Sequence, residues 1–280
     1  MVQRTFIPGD QWLYFKIYSG FKTADQLITN MIAPVANQLL HNQMISKWFF
    51  IRYSDPELHL RLRFLLIDPN QTAIPILMLN QAIQEFMRNN LVWKVQIETY
   101  QREIERYGAD TMELSESLFF YDSHYFAEIL RTIQGGEAET LRWLSALASV
   151  DALLNDFSFD LPKKMEFITI VKENFAREFG LENSRSKLSD KYRANRKAIE
   201  ELLDRKTDKH KSVCNLLEMR SKMQIPVVNQ IIKPTTALLS SYTHMMMNRW
   251  FRSKQRMHEA VVYDFLLKYY KSKMARGKPT

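Results

Sequence analysis

Cysteine is nearly absent: Cys214 stands alone in 280 residues. An intramolecular disulfide framework and a paired-cysteine zinc site are both excluded, and the expected compartment is a reducing one, the cytoplasm. Glycine is scarce too, with seven in the chain. Neither GxGxxG nor GxxxxGK[ST] occurs, so the backbone cradles of Rossmann and P-loop enzymes have no basis here. No apolar run reaches eighteen residues and no apolar segment follows the N-terminus, so neither a membrane span nor a secretory signal is expected. Histidine spacing offers no HExxH pair, Cys214 has no nucleophile motif around it, and GxSxG is missing. The expectation is therefore no metal and no cofactor. No internal repeat is visible.

What is present is globular. Hydrophobic residues make up 46% and aromatics 12%, enough to bury a core, and the chain reads as a single domain over 1–280. The net charge of +8 and isoelectric point near 9.4 favour an acidic partner, whether peptide, nucleic acid or membrane surface. The basic segment Lys187–Lys211 also carries many acids, which argues against nucleic acid.

Strand patterns crowd the first hundred residues: Trp12–Tyr18, Trp48–Tyr53, Leu58–Ile67 and Val92–Tyr100. Helical spacing marks Thr23–Leu40, with Thr23 as N-cap and a kink or break at Pro34, and then Ala73–Met87. Further on, helices are expected over Thr111–Phe120, Ser123–Gln134, Glu137–Leu154 and Lys163–Phe179, the last ending near Gly180. An exposed helical segment is expected over Asn183–Asp208. Next come Val213–Met223 and Val227–Lys233, divided by Pro226. A last long helix from Ala237 to about Lys271 is capped by Thr235 or Thr236. The fold class is α+β: an antiparallel or mixed sheet at the N-terminal end, followed by a predominantly helical C-terminal portion. Met245, Met246 and Met247 read as core filling.

Three constellations could carry chemistry. In WFFIRYSDPELHLRLRFLLI, Trp48–Ile67, His59, Arg61 and Arg63 alternate with leucines, so one strand face is cationic. Arg52 lies across the turn. Guanidinium forks two residues apart suit carboxylate or phosphate; the plainer reading is a solvated basic face. Glu103 and Arg106, three apart, form either a surface pair or a tuned acid and base. His244 precedes Asn248 by one helical turn in an apolar neighbourhood, as a core histidine or a proton-exchanging one.

Taken in order, WLYFKIYSG, TADQLI, FFIRYSDPELHLRLRF, YQREIERYGAD, FFYDS and THMMMNRWF resemble the C-terminal elimination domain of class I lanthipeptide dehydratases and its free-standing relatives, the thiopeptide-type bacteriocin biosynthesis proteins. The resemblance covers roughly residues 10 to 255. It implies a two-protein system in which a separate glutamyl-tRNA-dependent protein glutamylates serine or threonine of a leader-bearing precursor peptide. This chain would then eliminate the glutamate, leaving dehydroalanine or dehydrobutyrine. Arg63, Glu103, Arg106 and His244 would be catalytic, and Arg52, Arg61 and Asn248 would bind substrate. Which of His244 and Glu103 is base and which acid stays open. Ala109 departs from the family, which often has a second glycine there. Three other readings remain: a [4+2] pyridine synthase of thiopeptide macrocyclisation, a leader-peptide-binding module without catalysis, and a nucleic-acid binder. A homodimer is a further expectation.

Overall fold

The computed structural model describes residues 2–133, 135–179, 185–205 and 208–277. It divides into two compact units, Met1–Arg131 and Thr132–Thr280, each of which is taken by itself.

The first unit is built on a four-stranded antiparallel sheet. Its strands are β2 (Trp12–Ser19), β3 (Ile45–Ser54), β4 (Leu58–Leu66) and β5 (Val92–Glu98), in the order β3-β4-β2-β5. A small second sheet pairs β1 (Thr5–Phe6) with β6 (Tyr100–Gln101). Register fixes what faces what. Ile97, Phe15, Leu62 and Phe50 form one apolar rung, and Val95, Ile17, Leu60 and Arg52 the next. On the other face the rungs are Glu98, Tyr14, Arg63 and Phe49, then Gln96, Lys16, Arg61 and Ile51, then Lys94, Tyr18, His59 and Tyr53. Period-two alternation thus sorts one sequence into a greasy face and a polar one.

The helices α1 (Phe21–Leu27), α2 (Ala33–His41) and α3 (Ala73–Arg88) pack on the strands. α1 begins at Gly20, so Thr23 lies in its first turn and is not the cap. The break expected at Pro34 is present as a π-helical turn, Ile28–Ile32. Proline has no N–H to donate into the preceding turn, and Pro34 sits at the start of α2, where that donor is not needed. After a short helix α4 (Ile104–Tyr107), α5 (Met112–Thr132) runs unbroken where two helices were expected. No proline or glycine interrupts it; Gln134, the end of the second expected helix, lies outside the described residues. α5 closes the β3 edge: Phe50 N donates to Ser123 Oγ at 3.3 Å, and Phe49 and Phe50 meet Phe119 and Phe126.

The second unit is helical: α6 (Ala138–Asp156), α7 (Leu161–Phe179), α8 (Arg185–Leu203), α9 (Lys211–Val228), α10 (Thr236–Trp250) and α11 (Gln255–Arg276). α11 packs against α6, α7, α8 and α10 and supplies the core residues Val262, Tyr263, Phe265 and Leu266. The expected ends of two segments, Gly180 and Asn183, lie outside the described residues. Two boundaries differ from the sequence expectation. Pro226 sits inside α9, where it forfeits the one bond its N–H would have donated a turn back, and α9 ends at Val228, so the helix expected over Val227–Lys233 does not form. The long last helix is instead two, because Phe251 turns extended and Lys254 takes a left-handed φ of +51°. No glycine or proline announces that corner; buried Phe251 stacking on His258, 4.2 Å between ring centres, holds it. Thr235 does cap α10, accepting from Leu238 N at 3.1 Å, and Met245, Met246 and Met247 are core residues.

Candidate functional site

A polar cavity of about 530 Å³ opens on the cationic face of the first unit's sheet, where Arg61, Arg63, Glu103 and Arg106 come together with Tyr14, Lys16, Glu98 and Arg102. Arg63 is 7% exposed. Its guanidinium carbon lies 4.4 Å from the ring centre of Tyr14, 4.6 Å from that of Tyr100 and 5.2 Å from that of Phe49. Each such contact contributes about 0.5 kcal/mol when exposed and about 2 when desolvated. None of them neutralises the charge. Among the described residues no carboxylate pairs with Arg63, and its Nε is buried with no hydrogen-bond partner. Burial draws its pKa down, opposed by Tyr100 and Tyr14, yet a guanidinium keeps its proton in proteins.

The other cations are tethered. Lys16 Nζ bonds Glu98 at 3.0 Å, Arg4 pairs with Glu105, and Arg102 is clamped by buried Glu116 at 2.6 and 2.7 Å. Arg61 stacks 3.4 Å over Tyr53, and its Nε donates to His59 Nε2 at 3.3 Å. His59 Nδ1 meets the Glu57 carbonyl at 2.8 Å. These contacts define a neutral imidazole, Nδ1–H donating and Nε2 accepting. Burial, the largest cause, holds its pKa below the ordinary value. Burial also raises the Tyr14 hydroxyl and lifts Tyr100 far higher, where the carboxylate of Glu116 adds to it. Both phenols are therefore neutral donors at neutral pH.

Glu103 stands at the N-terminal cap of α4 and Arg106 lies within it. Arg106 Nη1 reaches Glu103 Oε2 at 3.3 Å, with 35% and 62% of the side chains exposed. At that exposure the attraction itself is worth about 0–1 kcal/mol. Gly108 ends α4 at a φ of +78°, and a Cβ there would stand 3.0 Å from Thr111 Oγ1. The positive φ is what calls for glycine at 108, and the close approach to Thr111 adds crowding. Ala109 follows with no such requirement.

Arg52 does not reach this cavity. It pairs with Leu60 across the sheet and so projects from the opposite, apolar face. There its Nη2 meets Asp25 Oδ1 at 2.5 Å between Phe50 and Phe126. Tyr14, Lys16 and Glu98 were passed over in the sequence, although the alternation of WLYFKIYS and VWKVQIE marks them as one face.

His244 belongs to the second unit. Its Nδ1 lies 2.9 Å from Glu259 Oε2, a carboxylate with no exposure. Glu259 also accepts from Tyr263 at 2.8 Å, and Tyr263 exchanges a hydrogen bond of 2.7 Å with Thr243. Arg256 Nη1 joins the same Glu259 oxygen at 3.3 Å. An ionised Glu259 requires a proton on Nδ1, which leaves Nε2 with its lone pair. The imidazole is 25% exposed. Asn248 lies one turn further along α10, half-buried.

Among the described residues no cluster of histidine, cysteine and carboxylates could hold a metal, and no helix is long and apolar enough to cross a membrane.

Residues 12–270 match the family described as lantibiotic biosynthesis dehydratase C-term. The nisin biosynthesis protein NisB of Lactococcus lactis subsp. lactis is 28% identical over 181 residues, which is 63% of this chain and 17% of that protein. The chain thus spans about a sixth of that relative's length. The tRNA-dependent lantibiotic dehydratase MibB from Microbispora sp. 107891 superposes with a TM-score of 0.73 at 21% identity, covering 100% of this chain and 29% of that one. Pyridine synthase TbtD, from thiomuracin biosynthesis, gives a TM-score of 0.66 at 14% identity over 94% of this chain and 100% of that one. At these identities the two structures establish a shared fold.

Proposed function

The chain belongs to the family of lantibiotic biosynthesis dehydratase C-terminal domains, and on that premise we propose that it eliminates glutamate from O-glutamyl serine or threonine of a precursor peptide. The observation that carries this reading is Arg63. A guanidinium buried among three rings without a carboxylate, beside Arg61 and within a cavity of mostly tethered charges, is a receptor for an anion the chain does not supply. Glutamate on an ester linkage offers a free carboxylate in the substrate and a second one as it leaves. An interaction stronger with the leaving carboxylate than with the ester lowers the barrier.

In the reaction a base removes the Cα proton of the glutamylated residue. Its electron pair becomes the Cα=Cβ bond, the Cβ–O bond breaks, and glutamate departs as a carboxylate. We assign Arg63, Arg61 and Arg106 to the glutamyl carboxylates, and proton exchange to His244 and Glu103. His244 Nε2 carries the lone pair a base needs, and Glu259 stabilises the imidazolium that results. The reaction calls for no redox carrier. The partners implied are a leader-bearing precursor peptide and a separate glutamyl-tRNA-dependent glutamylation protein.

The deciding experiment is mass spectrometry of a leader-fused peptide bearing one O-glutamyl serine after incubation with the purified chain alone. Loss of one glutamic acid, leaving dehydroalanine, is expected. An unchanged mass, together with cyclisation of a peptide carrying two dehydroalanines, would replace this reading with pyridine synthesis.

A further inference from the structure

The arginines account for the carboxylates of a glutamyl group and leave its amine without a partner. An aminoacyl-tRNA holds its amino acid by the α-carboxyl group, so a glutamyl group passed from it to serine or threonine stays esterified there. Its γ-carboxylate and its α-ammonium are then both free, with three carbons between them. The cations of the cavity suit the first and repel the second. A glutamyl site on this face therefore needs a carboxylate near Arg63 that the chain's own cations have not used up.

Three carboxylates line the cavity: Glu98, Glu103 and Glu105. Glu105 is bound to Arg4, and Glu103 meets Arg106 and is assigned to proton exchange above. Glu98 differs from both. Its Oε2 holds Lys16 Nζ at 3.0 Å, while its Oε1 has no hydrogen-bond partner among the described residues. A carboxylate has about four acceptor sites, so one oxygen is left for a second donor, and 40% of the side chain is exposed to receive it.

Register also puts Glu98 on the rung of Arg63. Glu98, Tyr14 and Arg63 are successive positions across β5, β2 and β4 on the polar face. Neighbouring strands lie about 4.8 Å apart, so a single strand separates the carboxylate from the guanidinium. Arg63 narrows that gap by lying 4.4 Å from the Tyr14 ring centre. After burial, the influences on the Tyr14 hydroxyl are Arg63, Arg61, Lys16 and Glu98, which gathers all four charges around one phenol.

We propose that Glu98 sets specificity for the amine: its Oε1 accepts from the α-ammonium of the glutamyl group while Arg63, one strand away, holds the γ-carboxylate. The rung thus reads its ligand as a zwitterion, and Lys16 positions the reader by holding Oε2. The inference rests on reading this cavity as a glutamyl site. The plainer role for Glu98 is to neutralise Lys16, and that role is blind to the amine of any ligand.

Isothermal calorimetry with L-glutamate and with glutarate, the same diacid without the amine, separates the two. The wild-type chain is expected to bind glutamate about tenfold to a hundredfold more tightly than glutarate, the range of a charge-assisted hydrogen bond. Glu98→Gln is expected to bring the two affinities together. Lys16→Met removes the cation but spares the carboxylate, and is expected to keep the preference. Circular dichroism checks that each variant folds. Equal binding of the two acids by the wild-type chain, or binding of neither, overturns the proposal. So does a preference as large in Glu98→Gln as in the wild type, which returns Glu98 to neutralising Lys16. The elimination reading falls on a different result: a chain that prefers glutamate yet leaves the glutamylated peptide at its full mass keeps this specificity and loses only the reaction.

Discussion

Glu259 Oε2 lies 2.9 Å from His244 Nδ1, and the carboxylate is wholly buried. That nitrogen is thus held by a carboxylate that never touches solvent, with Arg256 Nη1 3.3 Å from the same nitrogen. Glu259→Gln keeps the shape and removes the charge that favours Nδ1–H and the imidazolium. Elimination is expected to slow about tenfold to a hundredfold. His244→Ala is expected to cost about 10² to 10⁴ in rate, the usual contribution of a positioned proton-transfer group. Single-turnover mass spectrometry, counting the glutamylated intermediate that persists, checks both.

Arg63 makes a prediction that separates binding from folding. Free glutamate is expected to raise the melting temperature of the wild-type chain, since a ligand bound by the native state alone stabilises it. Arg63→Met fills much of the space between Tyr14, Phe49 and Tyr100 without the charge. That variant is expected to lose the glutamate-dependent rise and to bind glutamylated peptide about 10- to 100-fold more weakly, the equivalent of about 1.5–3 kcal/mol for a charge-assisted hydrogen bond. Thermal shift and isothermal calorimetry provide the readings.

Acid is expected to destabilise the fold through His59. Its pKa in the native chain lies below the ordinary 6.5 because burial disfavours the charge. The unfolded chain therefore binds the proton more readily, so the stabilisation is complete above about pH 6.5 and is lost as pH falls through the lower native value. Protonation also removes the lone pair that accepts from Arg61 Nε. Chemical denaturation from pH 7.5 down to 5 is expected to show falling stability, and His59→Asn is expected to flatten part of that slope.

The Arg52–Asp25 pair is expected to act on stability without taking part in the chemistry. Arg52→Met leaves Asp25 with its carboxylate in an apolar setting, and losing one partner of a buried pair costs about 3–5 kcal/mol. Glutamate binding by the folded fraction is expected to be unchanged, because Arg52 lies on the face away from the cavity. Urea melts with and without glutamate distinguish the two effects.

The split between a strand-rich first part and a helical remainder was legible in the sequence, because alternation in Leu58–Ile67 and helical spacing in Ala73–Met87 are strong local signals. So was the gathering of Arg61, Arg63, Glu103 and Arg106, the first two from their shared strand face and the others through the resemblance. The placement of Arg52 was not. It follows from cross-strand register, and the register of β3 against β4 depends on pairings that no local window contains. The corner at Lys254 was hidden for a similar reason, since it rests on Phe251 packing against His258. Glu259, fifteen residues beyond His244, could be found only once α10 and α11 were known to be separate helices.

The rungs of the sheet set a rule for which sequence changes this site can absorb. Arg61 and Arg63 are on the polar face because they are an even number of residues apart within one strand. A substitution elsewhere in β4 changes one side chain. Inserting or deleting a single residue between His59 and Arg61 would send one part of the strand to the wrong side, exchanging guanidinium for leucine at every later rung. Length within these strands is therefore under tighter constraint than composition, and a scan of one-residue deletions would trace the outline of the site without any substrate in the tube.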